Sequence, residues 1–340
     1  MAKVVTLGEI MLRLSSPDHS RLVQSKQFDV CYGGGEANVA VSLAHYGHDA
    51  YFISKVPNNE IGESALSALR AENVNVDFVA RGGDRLGIYF LESGSSMRPS
   101  KVIYDRANSA ISTAKLSDFQ ILKALKGADV FHFSGITPAL SNKAVMLVRK
   151  ICKMAKQKGI LVSCDLNFRK KLWTKEQARK IMVPLMEYVD ICIGNEEDAD
   201  NCLGFRPNAD ITAGKTDAEG YKRIFMEMAK KFKFKYVATT LRESYSASHN
   251  GWKALLYDGK TFYESKHYDI SPIVDRVGAG DSFSAGLIHG LLTYKDKQKA
   301  LEFATAASAL KHTIPGDFNQ VSIQEVEALM NGDCSGRVAR

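Results

Sequence analysis

Long apolar runs are missing from this 340-residue chain: none reaches the length needed to cross a bilayer. The N-terminus, Met1-Ala2-Lys3-Val4-Val5-Thr6-Leu7-Gly8-Glu9, enters a short apolar strand directly and has no signal-peptide core, so a cytoplasmic protein is expected. Cysteines are few, six in all (Cys31, Cys152, Cys164, Cys192, Cys202 and Cys334), with no C-x-x-C pair and no Cys/His set at zinc spacing. Most sit among apolar neighbours, as reduced core thiols do. No Pro/Ser-rich linker, low-complexity tract or internal repeat divides the chain. The net charge is only +7, from 45 Lys and Arg against 38 Asp and Glu. The densest basic group, Lys230, Lys231, Lys233 and Lys235, reads as a solvated helix end running into a strand. Nothing in it makes a nucleic-acid surface, while a mild positive balance suits an anionic substrate.

What is present is an alternation. Val4–Leu7, Ala50–Ile53, Asp129–Phe133, Ile160–Cys164, Val189–Ile193 and Tyr236–Thr239 read as short apolar strands. Between them lie helical patterns: Gly33–Ala44 ending at Gly47, Ile61–Leu69, Lys143–Gln157 and Lys175–Glu187. This is the grammar of a mostly parallel sheet with helices on both faces. Two segments break it. Leu12–Tyr32 and Gly82–Asn108 are strand-like, polar and rich in turn residues, and are expected to form a small separate sheet standing over the main one. Ser246–Asn250, Trp252–Tyr257 and Thr261–Tyr268 read as consecutive antiparallel strands with turns at Asn250-Gly251 and Asp258-Gly259.

The chain is organised around Asp275-Arg276-Val277-Gly278-Ala279-Gly280-Asp281-Ser282-Phe283. Two glycines flank Ala279 at the start of a helix, so backbone amides at its positive end can meet an anion closely. Asp281 suits either the helix dipole or proton chemistry. Further polar groups follow the strands, where open α/β sheets bind ligands. Asp165-Leu166-Asn167-Phe168-Arg169 puts three polar side chains at alternate positions. Gly194-Asn195-Glu196-Glu197-Asp198 reads equally as a helix start capped by Asn195.

Gly33-Gly34 with Asn38 and Ala40, and Asp275-x-Val277-Gly278-Ala279-Gly280-Asp281-x-Phe283, resemble the two signatures of the ribokinase-like (PfkB) carbohydrate kinases. The likeness runs the length of the chain. Asp165–Arg169 followed by Leu172-Trp173, with Lys311-His312-Thr313-Ile314-Pro315-Gly316-Asp317, resembles the branch acting on 2-keto-3-deoxygluconate. The resemblance implies a three-layer α/β fold, one catalytic domain over 1–340, with segments 12–32 and 82–108 as a β-sheet lid. It implies Asp281 as base, with the Gly278, Ala279 and Gly280 amides as an anion hole for the phosphoryl group. Gly34, Gly35, Asn38, Tyr89, Tyr104, Arg106, Arg169 and Asp317 would contact the sugar. Asn167, Asn195, Thr240, Arg242, Gly278 and Gly280 would contact ATP. The family's Asn-x-x-Glu is here Asn195-Glu196-Glu197-Asp198, so Asp198 would meet Mg2+ through water. After Tyr236–Thr239 the family's Gly-rich turn is replaced by Thr240-Leu241-Arg242-Glu243-Ser244, where Arg242 offers a phosphate partner. Family lids often pair into homodimers, and Leu22, Val23, Phe28 and Val30 offer an apolar face for that.

Arg106 and Arg169 point to an acid substrate, since a guanidinium fork matches a carboxylate. The expected reaction is ATP-dependent phosphorylation of the terminal hydroxyl of a keto-deoxy sugar acid. A neutral sugar such as fructose or ribose is the alternative acceptor. A non-catalytic sugar- or nucleotide-binding regulator is disfavoured by the intact Asp281 and its glycines. A dinucleotide oxidoreductase is set aside because the early glycines lack G-x-G-x-x-G.

Overall fold

The computed structural model describes residues 1–206 and 218–333; Cys334 lies outside them. Among the described residues, nine strands form the main sheet. Its parallel part runs, from one edge inward, Asp49–Ile53, Lys3–Leu7, Val130–Ser134, Leu161–Asp165, Ile191–Ile193 and Tyr236–Ser246. Alternation sends neighbouring side chains to opposite faces: Val5 and Phe131 join one apolar core, Val4 and Val130 the other. The first core is covered by helices Asn142–Gln157, Lys175–Leu185 and Ala218–Phe232, the second by Gly35–His45, Ala279–Thr293 and Lys297–Lys311. These are the three layers of a ribokinase-like α/β fold. Cys152, Cys164, Cys192 and Cys202 are buried and unpaired, and Cys31 is half-buried and unpaired.

The two segments outside the alternation supply a second, four-stranded sheet in the order Asp29–Gly33, Met11–Ser15, Gly87–Glu92, Lys101–Asp105. Its central pair is parallel, with Arg13 opposite Tyr89, and its outer pairings are antiparallel. The antiparallel edge of the main sheet differs from the sequence reading: Thr261–Tyr268 is not one strand, since Phe262–Glu264 pairs with Leu255–Tyr257 while Tyr268 opens a separate strand, Tyr268–Ile270, on Asn250–Trp252. Asn250-Gly251 is no turn. Both residues sit inside strand His249–Tyr257, which pairs with Tyr236–Ser246 from Val237–Tyr257 to Ser246–His249. Asn-Gly is a hairpin signal only when its neighbours do not find a longer partner, and here a long ladder outweighs it. The same ladder carries Thr240 and Arg242 in a strand, opposite Ala254 and Trp252, beyond the Tyr236–Thr239 end read from the sequence. Helix Lys175–Leu185 also stops short of Glu187, one residue after Pro184.

Candidate active site

The parallel strands end on one edge, and there the main sheet and the four-stranded sheet enclose a cleft of about 1510 Å³. All of the catalytic, sugar, nucleotide and metal residues named from the sequence line it. Two helix starts form its floor. Gly34 precedes helix Gly35–His45, and a Cβ on it would lie 1.9 Å from the Glu9 carbonyl oxygen, so only glycine fits. Gly278 precedes helix Ala279–Thr293 in the left-handed region, φ 86°, and a Cβ there would lie 2.2 Å from the Asp317 carbonyl oxygen. Gly280 is different. It is exposed, and a Cβ on it would meet no protein atom within 4 Å, so its bare backbone faces open space at a helix N-terminus.

Asp281 stands in the first turn of that helix. Asn38 Nδ2 donates to its Oδ2 at 2.7 Å, while Asn38 Oδ1 accepts from the Gly34 N–H at 3.2 Å. The two signature segments therefore meet through one amide. Burial pushes the Asp281 carboxyl up to about 7; Asn38 and Arg169 oppose the shift, and Glu36 and Asp317 add to it. Burial also raises Asp165, helped by Asp198 and Asp281, and raises Asp198. Glu36, behind the floor, is buried and raised as well; its Oε1 accepts from Ser134 N, Ser134 Oγ and Thr137 Oγ1 at 2.7–2.9 Å.

The nucleotide and metal candidates are less free. Asn195 and Asp198 form a reciprocal helix cap: Asn195 Oδ1 accepts from Asp198 N at 2.8 Å, and Asp198 Oδ2 from Asn195 N at 3.2 Å. Asp198 Oδ1 takes the Phe168 N–H at 2.9 Å, holding the Asp165–Arg169 segment, in which Asn167 adopts a left-handed φ of 36°. No group of three or more His, Cys, Asp or Glu among the described residues is arranged to hold a metal ion. The donor set thus fits a magnesium ion carried by nucleotide phosphates and reached through water, and does not fit an ion ligated by the protein alone.

On the opposite wall, Arg106 is buried and donates through Nε and Nη2 to Glu9 Oε2, its guanidinium 5.3 Å from the Tyr104 ring centroid. Tyr89 OH donates to the Asp317 carboxylate at 2.6 Å, and Arg13 Nη1 to the same group at 2.8 Å. Arg169 is exposed; its carbonyl accepts the Leu172 N–H at 2.8 Å, and its guanidinium forms no hydrogen bond or ion pair among the described residues. Sequence reasoning missed Glu9, Arg13 and Glu36. Arg13 carried a signal: with Met11 and Ser15 it lies on the buried face of a strand whose other residues, Leu12 and Leu14, are half-buried. Glu9 and Glu36 carried none beyond their closeness to glycines.

Comparison with known proteins now bears on this cleft. Residues 1–322 match the family model described as pfkB family carbohydrate kinase. The chain belongs to that family. It is 54% identical to the crystal structure of 2-dehydro-3-deoxygluconokinase from Thermotoga maritima, with a TM-score of 0.93 over 97% of this chain and 98% of that one. It is 32% identical to the 2-dehydro-3-deoxygalactonokinase of Haloferax volcanii over 98% of both chains. It is 27% identical to the 2-dehydro-3-deoxygluconokinase of Bacillus subtilis over 94% of this chain and 93% of that one. A ribokinase II structure from E. coli in complex with ATP and Mg2+, 21% identical with a TM-score of 0.78 over 97% of this chain and 99% of that one, shares the fold. This protein is a carbohydrate kinase, a phosphotransferase with an alcohol acceptor. No described helix is long and apolar enough to cross a membrane.

Proposed function

We propose that this kinase transfers the γ-phosphoryl group of ATP to the terminal hydroxyl of 2-keto-3-deoxygluconate, giving 2-keto-3-deoxy-6-phosphogluconate and ADP. The observation that carries the reading is the Asn38–Asp281 pair beside the open backbone of Gly280. Asp281, ionised, accepts the hydroxyl proton as the sugar oxygen bonds to phosphorus and the bond to the ADP oxygen breaks. Asn38 holds the carboxylate so that its other oxygen, Oδ1, faces Gly35 and the cleft. The Gly278, Ala279 and Gly280 amides receive the negative charge of the phosphoryl group without reorganising. Asn195, Asp198 and Asp165 would hold a nucleotide-bound magnesium ion through water, and the ion would supply neutralisation of phosphate charge. Asn167, Thr240 and Arg242 contribute to the nucleotide side.

Arg169 and Arg106 read the substrate carboxylate. Arg169 is uncommitted, whereas Arg106 already spends Nε and one Nη on Glu9 and keeps Nη1 for a ligand. Gly34, Gly35, Tyr89, Tyr104 and Asp317 complete the sugar side. The four-stranded sheet, built from segments 12–32 and 82–108 of one catalytic domain, acts as the lid, and its exposed Val23, Phe28 and Val30 are the face on which two lids would pair.

The Haloferax volcanii relative, by its name, favours a second reading in which the acceptor is the galactonate epimer. A coupled ADP-release assay with both keto-deoxy acids and with fructose and ribose decides. The proposal expects kcat/KM highest for the gluconate-derived acid, and a neutral sugar matching it refutes the carboxylate reading.

A further inference from the structure

Arg13 lies at the middle of a lid strand, yet its guanidinium serves the main domain. It is 4% exposed, and each of its three edges is used. Nε donates to Ser15 Oγ at 2.7 Å, Nη1 to Asp317 Oδ1 at 2.8 Å and Nη2 to Asp275 Oδ2 at 2.6 Å. Burial works against the charge, but Asp275 and Asp317 outweigh it and hold the group more firmly cationic than usual. Asp275 in turn accepts the Val277 N–H through Oδ1 at 3.0 Å and the Gly316 N–H through Oδ2 at 3.2 Å. Val277 leads directly into Gly278, whose backbone is pressed against the Asp317 carbonyl. Tyr89, the residue opposite Arg13 in the adjoining lid strand, donates to Asp317 from the same side.

We propose that Arg13 is a positioning residue for phosphoryl transfer: by gripping Asp275 and Asp317 it makes the shape of the Gly278–Gly280 turn depend on the seating of the small sheet. This rests on the reading of that turn as the anion hole. Two effects follow from the contacts. The fork fixes both walls of the turn, and misplacing such donors by about 1 Å costs on the order of 100-fold. The cation also cancels carboxylate charge that would otherwise lie next to an incoming phosphoryl group. Removing it leaves Asp275 and Asp317 underneutralised, with Lys311, whose buried ammonium is bonded to the Ile314 carbonyl at 2.9 Å, and Arg276, which feels Asp275, as the remaining cations.

The test compares the full-length wild-type enzyme with Arg13→Lys and Arg13→Met, using Mg-ATP and the keto-deoxy acid. Lysine keeps the charge but cannot fork two carboxylates, so kcat should fall roughly 10-fold, and about 100-fold or more for methionine. KM for the acid should change by a smaller factor than kcat, because the fork reaches the sugar side through Asp317 alone but fixes both walls of the turn. The acid limb of kcat/KM should move to higher pH in Arg13→Met, since unneutralised Asp317 further disfavours ionised Asp281. A residue that merely holds the fold would lower the active fraction without moving that limb. Should Arg13→Met fail to fold, Arg13→Lys carries the same comparison. Both variants within twofold of wild-type kcat, with the limb unmoved, overturn the proposal. Asp281→Asn separates the two claims: if it is inactive while the Arg13 variants are normal, only the coupling fails; if it is active, the anion-hole and base reading fails first.

Discussion

On the floor of the cleft Asp165, Asp198 and Asp281 crowd together, and no Lys or Arg forms an ion pair with any of them among the described residues. In and beside the facing four-stranded sheet, Arg13, Arg85, Arg98 and Arg106 are each bonded to a carboxylate, and Arg106 lines the cleft. The floor keeps charge unsatisfied and so keeps proton affinity high; the wall satisfies charge and so keeps geometry fixed. Uncompensated burial is the means by which a carboxylate becomes a base near neutrality. A buried pair contributes little net stability but is costly to break from one side.

The largest test of the contrast is Asp281→Asn. It removes the proton acceptor while leaving the amides, so turnover should fall about 100- to 10,000-fold with nucleotide affinity nearly unchanged. Stability should move the other way. The folded-state value, about 7, lies above the ordinary 3.8, so ionising Asp281 costs stability as pH rises between the two. The variant should therefore melt above wild type by a margin that widens from pH 4 to pH 7 and then levels. A variant that keeps more than a tenth of the activity removes the residue from its role.

The next sharpens the comparison within the proposed carboxylate subsite. Arg169→Ala and Arg106→Ala should each lower kcat/KM for the sugar acid by roughly 10- to 150-fold, and for a neutral ketose much less. Their stabilities should diverge in urea unfolding. Arg106→Ala strands buried Glu9 and should cost about 3–5 kcal/mol, while Arg169→Ala should stay within about 0.5 kcal/mol. Equal unfolding midpoints contradict the division between wall and floor.

The smallest effect separates two glycines two residues apart. Gly278→Ala meets a positive φ and a carbonyl, so it should destabilise the fold by at least about 1–3 kcal/mol. Gly280→Ala meets no protein atom; it should fold as wild type, or slightly more stably, and lose on the order of 10-fold in turnover by crowding the phosphate site. If Gly280→Ala is fully active, that open space is not where the phosphoryl group lies.

Much of this was legible in the chain because it is local. Short apolar runs marked the strands, and the glycine spacing around Ala279 located the helix start on which Asp281 sits. That Asp165–Arg169 and Asn195–Asp198 share the cleft was legible too, since strand ends must converge in a parallel sheet, whereas Tyr89, Tyr104, Arg106 and Asp317 came from the family resemblance. What could not be read was pairing over long sequence distances. Arg13 meets Asp275 and Asp317 across 262 and 304 residues, and Arg106 meets Glu9 across 97. No spacing rule reports such partners, so residues assigned to the sugar, Tyr89 and Asp317, turn out to be bonded to each other. The Asn250-Gly251 signal failed for a related reason: a ladder that begins at Val237 decides the local conformation.

The central claim, that burial on the floor makes Asp281 a base poised near neutrality, is tested most directly by the pH dependence of kcat/KM for the keto-deoxy acid between pH 5 and 9. The account predicts a limb of unit slope falling below an apparent value near 7, reporting the free enzyme. It also predicts that the limb is absent from the residual activity of Asp281→Asn. A wild-type profile flat down to pH 5, or a limb that survives in the variant, contradicts it.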